Sequence, residues 1–130
     1  MHRIRSPQIG SATTSRFGNG RQGLHALEIG SYEGRSALWM LENVLTDTSC
    51  TLTCIDIFSN TNFIQNTAAF RDRLTYIIGD SRVVLRSHFE RKEQFDLIYI
   101  DGNHAACNVL EDIVLSFPLL KTGGTERQHI

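Results

Sequence analysis

The sequence predicts an α/β fold, an incomplete doubly wound parallel sheet of about four strands with helices on both faces. Three observations carry that expectation. Strand-like and helix-like segments alternate from Leu24 onward. Each strand-like segment runs into a carboxylate or a glycine. A glycine-bearing turn joins the first strand to an amphipathic helix.

The elements follow in order. Ala26–Ile29 is a short apolar strand, and Ser36–Leu45 is a helix whose apolar positions Ala37, Leu38, Leu41, Val44 and Leu45 share a face. Thr51–Ile57 is rich in β-branched residues and reads as the second strand. Asn62–Leu74 is expected as one helix, Thr75–Ile78 as a short strand, and Arg82–Phe89 as a short helix. Phe95–Ile100 is a fourth strand, and Ala105–Phe117 an amphipathic helix with apolar positions 106, 109, 110, 113, 114 and 117.

Ligand groups in such a sheet are expected at the C-terminal ends of the strands. Glu28 and Gly30, Asp56, the Gly79-Asp80-Ser81 triplet, and Asp101 with His104 all fall there. Asp, Gly and Ser also cap helices and make turns. Four successive strands delivering a carboxylate to one rim favours a ligand site over chance capping. Gly30 and Gly34 allow close backbone approach, and the helix start offers unpaired N–H groups to an anion.

Composition excludes several classes. The 130 residues are enough for one domain with a core. Thirteen basic against fourteen acidic residues give a net charge near −1, with no basic stripe for nucleic acid. No apolar run approaches the roughly 18 residues that a membrane helix needs. Cys50, Cys54 and Cys107 lack the paired spacing of a zinc site, and reduced thiols in a cytoplasmic protein are the expectation. Residues 1–23 contain no Asp or Glu, several Arg, and many small polar residues. They read as a loosely ordered leader, since a transit peptide would need an apolar stripe that is missing here.

Five segments bear on function: LEIGSYEGRSA (27–37), TCIDIF (53–58), GDS (79–81), FDLIYIDGNH (95–104) and PLLKTGG (118–124). In this order and at these separations they resemble a class I S-adenosylmethionine (SAM)-dependent methyltransferase of Rossmann-like fold. The resemblance is to the small-molecule O-methyltransferases of the catechol type and their macrolide-sugar and cephalosporin-modifying relatives. It covers residues 24–124, the N-terminal part of such a domain, and leaves 125–130 as a tail outside the family pattern.

The resemblance implies a role for each residue. Glu28, Gly30 and Tyr32 would wrap the methionine part of the cofactor, and Ser36 would hold its carboxylate. Asp56 would accept from both ribose hydroxyls, a pairing suited to a carboxylate and a vicinal diol. Asp80 and Ser81 would lie beside the adenine. Asp101 would stand near the cofactor and, in metal-dependent members, bind a divalent cation such as Mg2+. His104 falls where the catechol-type enzymes carry a lysine general base, and it equally suits capping the following helix.

After Gly124 such a domain should enter an apolar fifth strand, yet 125–130 is polar. The expectation is therefore a C-terminally truncated domain without strands five to seven. Its fourth strand would be an open edge available to a second copy or a partner chain. Two functions are weighed: O-methylation of a small molecule, and a catalytically incomplete SAM-binding fragment. A nicotinamide-dependent dehydrogenase would need G-x-G-x-x-G after strand one, where this chain has Glu28-x-Gly30-x-x-x-Gly34.

Overall fold

The computed structural model describes residues 21–101 and 106–128. The expected leader thus lies almost wholly outside the described residues, as does His104. Five parallel strands form one sheet in the order β3-β2-β1-β4-β5. They are β1 (His25–Ile29), β2 (Thr51–Asp56), β3 (Leu74–Ile78), β4 (Phe95–Ile100) and β5 (Leu120–Gln128). The helices are α1 (Arg35–Asn43), α2 (Thr61–Asn66), α3 (Ser81–Glu90) and α4 (Ala106–Ser116).

The strand order reverses between β1 and β4. Right-handed crossovers then put the β1–β2–β3 connections on one face and the β3–β4–β5 connections on the other. Side-chain packing follows this division. Ala37, Met40 and Leu41 from α1, Val44 and Leu45 just past its end, and Phe63 from α2 pack against Ala26, Leu52, Cys54, Leu97 and Tyr99. Leu85 from α3, Leu119, and the half-buried Ile113 and Leu115 of α4 pack against Leu27, Ile29, Ile55, Ile98 and Ile100. The inner strands β1 and β4 therefore have both faces covered, which is why they read as nearly continuous apolar runs. Each fully buried leucine or isoleucine in these layers is worth roughly 1.5–3 kcal/mol.

The fold differs from expectation in three places. The helix expected over 62–74 is instead α2, ending at Asn66, followed by a 3-10 turn over Ala68–Arg73. Thr67 separates the two, and its hydroxyl donates to the Phe63 carbonyl at 2.7 Å. On α4, Val109 is buried but Leu110 and Val114 are exposed, as is Phe117 in the 3-10 turn that follows, so the expected apolar stripe is wider than the face that packs.

The strand count of four is corrected to five. β5 pairs in parallel with β4, so β4 is an interior strand rather than an open edge. Polarity argued against this strand, but a ladder is built from backbone groups, and an edge strand has no need of an apolar sequence. Two local devices accommodate the polar residues. The register shifts between Phe95 and Leu97. Gly123 takes φ of 82°, and a Cβ on Gly124 would lie 2.9 Å from the carbonyls of Asp96 and Lys121. Glu126, opposite Ile98, is secured by the Ser116 hydroxyl, which donates to its Oε2 at 2.6 Å.

Candidate functional site

The turn after β1 is built on alternation of backbone hand. Gly30, Tyr32 and Gly34 have φ of 86°, 50° and 86°. Gly34 caps α1 in the left-handed region, and a Cβ there would meet Phe63 Cδ2 at 2.9 Å and Thr67 Cγ2 at 3.1 Å. Only glycine fits both the conformation and the space. Tyr32 is the exception, a side chain in a region that ordinarily disfavours one. Its main-chain N–H donates to Asp56 Oδ2 at 2.7 Å, which holds the turn in that conformation.

Asp56 ends β2. Its other oxygen, Oδ1, accepts the Ile57 N–H at 2.8 Å. Each carboxylate oxygen has two acceptor positions, so each retains one for a ligand. The Gly79 N–H bonds the Asp56 carbonyl at 2.8 Å, drawing the end of β3 alongside. Asp80 then caps α3, accepting the Arg82 N–H at 2.9 Å, and Arg82 also grips its carboxylate through Nε and Nη2. The Arg82 guanidinium holds the Asp80 carboxyl down at about 2, below the ordinary range. Ser81 donates its hydroxyl proton to Asp112 Oδ1 at 2.6 Å. Burial raises the Asp112 carboxyl above its ordinary value, with Ser81 opposing.

These strand ends enclose a cleft of about 540 Å3 beside the point where the sheet order reverses. Of the residues singled out by sequence, Gly30, Tyr32, Asp56, Asp80 and Ser81 line it. Glu28, Ser36 and Asp101 do not. Glu28 is completely buried behind the turn, with the Cys54 thiol donating to its Oε1 at 3.6 Å and its Oε2 without a hydrogen-bond partner. Desolvation pushes its carboxyl up to about 8, against the pull of Ser31 and Cys54. The same burial, with the Glu28 charge next, raises the Cys54 thiol well above its usual range. Ser36 is buried in the first turn of α1, and Asp101 is buried at the end of β4, its N–H bonded to the Ile29 carbonyl at 2.8 Å. Tyr32 is raised above the usual phenol value by burial and then by the Asp101 and Asp56 charges. Among the described residues no three His, Cys, Asp or Glu side chains converge to hold a metal ion.

Sequence reading missed part of the lining. Ile57 and Phe58 are 59% and 76% exposed at the cleft. An apolar pair just past a strand-end carboxylate was the available signal, since a turn seldom spends two large apolar side chains on solvent. Asn60 also lines the cleft, and its side chain caps α2 by accepting from the Asn62 and Phe63 N–H groups. Arg82, Glu111 and Asp112 complete the lining. Glu111 and Asp112 sit mid-helix with no local motif, so no sequence signal marked them.

The family model described as "Methyltransferase domain" matches residues 27–126. No curated protein sequence matches the chain. Among solved structures, a Staphylococcus aureus protein assigned as a caffeoyl-CoA O-methyltransferase is similar at TM-score 0.73 and 20% identity, covering 96% of this chain and 57% of its own. The MycE methyltransferase of the mycinamycin biosynthetic pathway, in complex with Mg and SAH, is similar at TM-score 0.66 and 21% identity, covering 91% of this chain and 30% of its own. The N-methyltransferase NodS of Bradyrhizobium japonicum WM9, in complex with S-adenosyl-L-homocysteine (SAH), is similar at TM-score 0.63 and 20% identity, with 94% of this chain and 58% of its own covered. The chain thus spans 57%, 30% and 58% of the lengths of these three structures.

Proposed function

The chain belongs to the methyltransferase-domain family, and from that premise we propose that its cleft binds SAM for methyl transfer to an oxygen of a small molecule. The observation that carries this reading is Asp56. Its carboxylate lines the cleft with both oxygens oriented by main-chain donors and one acceptor position left on each. A vicinal diol matches those two positions, and the exposed faces of Ile57 and Phe58 beside it suit a purine ring.

Charge supports the same ligand. Asp56, Asp80, Glu111 and Asp112 line the cleft against one guanidinium, Arg82. Such a wall favours a cationic, phosphate-free cofactor over a dinucleotide. Behind the turn, the unpartnered Glu28 Oε2 is a buried polar atom that a ligand ammonium would satisfy.

When bound, SAM supplies a sulfonium methyl to an attacking oxygen, with the carbon–sulfur electron pair passing to sulfur. The chain's own contribution is alignment: Asp56 and the turn from Gly30 to Gly34 fix the cofactor, so that the attack is effectively unimolecular. Proton removal from the acceptor falls to His104 by the sequence resemblance alone, because that residue lies outside those described. The described residues do not assemble a metal centre. The choice of oxygen over nitrogen rests on the resemblance too, and the structural neighbours include enzymes named for each.

A second reading, cofactor binding without transfer, uses the same cleft and the same Asp56 contacts. Calorimetric titration with SAH tests the shared part of both readings. Saturable one-to-one binding is expected, and a folded chain that fails to bind SAH would sink them together. Methyl transfer to small hydroxyl compounds, lost in His104→Ala, separates the first reading from the second.

A further inference from the structure

Arg82 is an exposed arginine in the first turn of α3, and it does not extend into solvent. Its guanidinium folds back onto Asp80, with Nε 3.1 Å from Oδ1 and Nη2 2.7 Å from Oδ2. The Arg82 main-chain N–H takes the second position on Oδ1, at 2.9 Å. A carboxylate has about four acceptor positions. Three are therefore filled, and one remains, on Oδ2. Ser81 offers no competing proton, since its hydroxyl hydrogen is committed to Asp112. All three residues line the same cleft as Ile57 and Phe58.

We propose that Arg82 is a positioning residue for base selectivity: by pinning Asp80 it leaves a single acceptor that favours a purine with an exocyclic amine over one with a 6-oxo group. The proposal rests on the SAM reading above and adds to it the residue that makes the base contact directional. A fork-on-fork pair holds the carboxylate plane, so the unused Oδ2 position has one direction rather than a rotamer-averaged spread. The guanidinium protons left over point away from Asp80, because the forked edge is the one it faces. A 6-oxo group brought to the same place would set oxygen against oxygen. The pair is partly solvent-exposed, 58% for Arg82 and 37% for Asp80, so its effect lies in orientation more than in fold stability.

The test compares two ligands on the full chain: SAH, and S-inosylhomocysteine, in which the adenine amine is replaced by a carbonyl. Calorimetry on the wild-type chain should show SAH bound at least tenfold more tightly. In Arg82→Ala that ratio should fall severalfold, and Arg82→Lys, which cannot fork, should lie between. Thermal unfolding midpoints should stay within a degree or two, separating orientation from folding. A variant that binds SAH with the wild-type ratio overturns the role of Arg82. Equal binding of both ligands by the wild-type chain overturns it as well while leaving the SAM reading intact. Failure of the wild-type chain to bind SAH overturns both.

Discussion

Asp56 Oδ2 accepts the main-chain N–H of Tyr32 at 2.7 Å, so the end of the second strand holds the turn after the first. The two residues are far apart in sequence and belong to separate motifs. One hydrogen bond makes them a single unit, in which the carboxylate that faces the cleft also maintains the cleft's wall.

Asp56→Ala should therefore weaken SAH binding by about 1.5–3 kcal/mol, the scale of a charge-assisted hydrogen bond. Amide exchange at Tyr32 should speed up in the same variant, because its N–H loses its partner. Unchanged affinity, read by calorimetry, would sink the ribose assignment.

Gly34→Ala should destabilise the chain by about 1–3 kcal/mol, from a left-handed φ of 86° and a Cβ placed 2.9 Å from Phe63 Cδ2. Phe63 is fully buried and stacks on Tyr76 with ring centroids 3.9 Å apart, so it has little room to retreat. Urea denaturation is the measurement. A midpoint equal to wild type would show that the turn tolerates a side chain.

Glu28 makes stability fall as pH rises. Its carboxyl sits at about 8 when folded against an ordinary 4.5, so the folded state keeps a proton that the unfolded chain releases. The contribution is fully present below about pH 4.5 and is lost as pH rises through about 8. Asp112 and Glu126, both raised by burial, act in the same direction. Urea unfolding of the wild type and Glu28→Gln across pH 5–9 should give a shallower decline in the variant. The difference should be on the order of a few kcal/mol at the alkaline end, at about 1.4 kcal/mol per unit. Parallel declines would mean that Glu28 ionises freely.

Ser116→Ala should loosen β5. The hydroxyl is the donor that secures the half-buried Glu126, and its loss leaves a desolvated carboxylate without that bond, at a cost of about 1–3 kcal/mol. Hydrogen exchange should accelerate over Thr125–Gln128 more than over β1. Uniform protection in the variant would show that backbone pairing alone retains the strand.

Much of the architecture was legible because it depends on local pattern. The alternation of apolar strand runs with helical spacing placed β1 to β4 and most of α1, α3 and α4 close to where they stand. The carboxylates at strand ends were legible for the same reason, being fixed by their position after an apolar run. What misled was polarity. Residues 125–128 looked unfit for a sheet, yet Glu126 is satisfied by Ser116 from another element, a contact with no local trace. The break of the expected 62–74 helix at Thr67 also follows from packing, since no proline or glycine marks it.

Sequence by itself determined the α/β class, the strand rim that carries the acids, and the glycine-bearing turn, because each follows from residue type and spacing along one segment. Only the tertiary structure decided which of those acids share a cleft. It put Asp56 and Asp80 on the wall and buried Glu28 and Asp101 behind it. It also brought in Glu111 and Asp112 from a distant helix, joined β5 to β4, and locked Arg82 across Asp80. Those outcomes depend on which side of a packed sheet each side chain meets and which donors reach it there, and a linear pattern encodes neither.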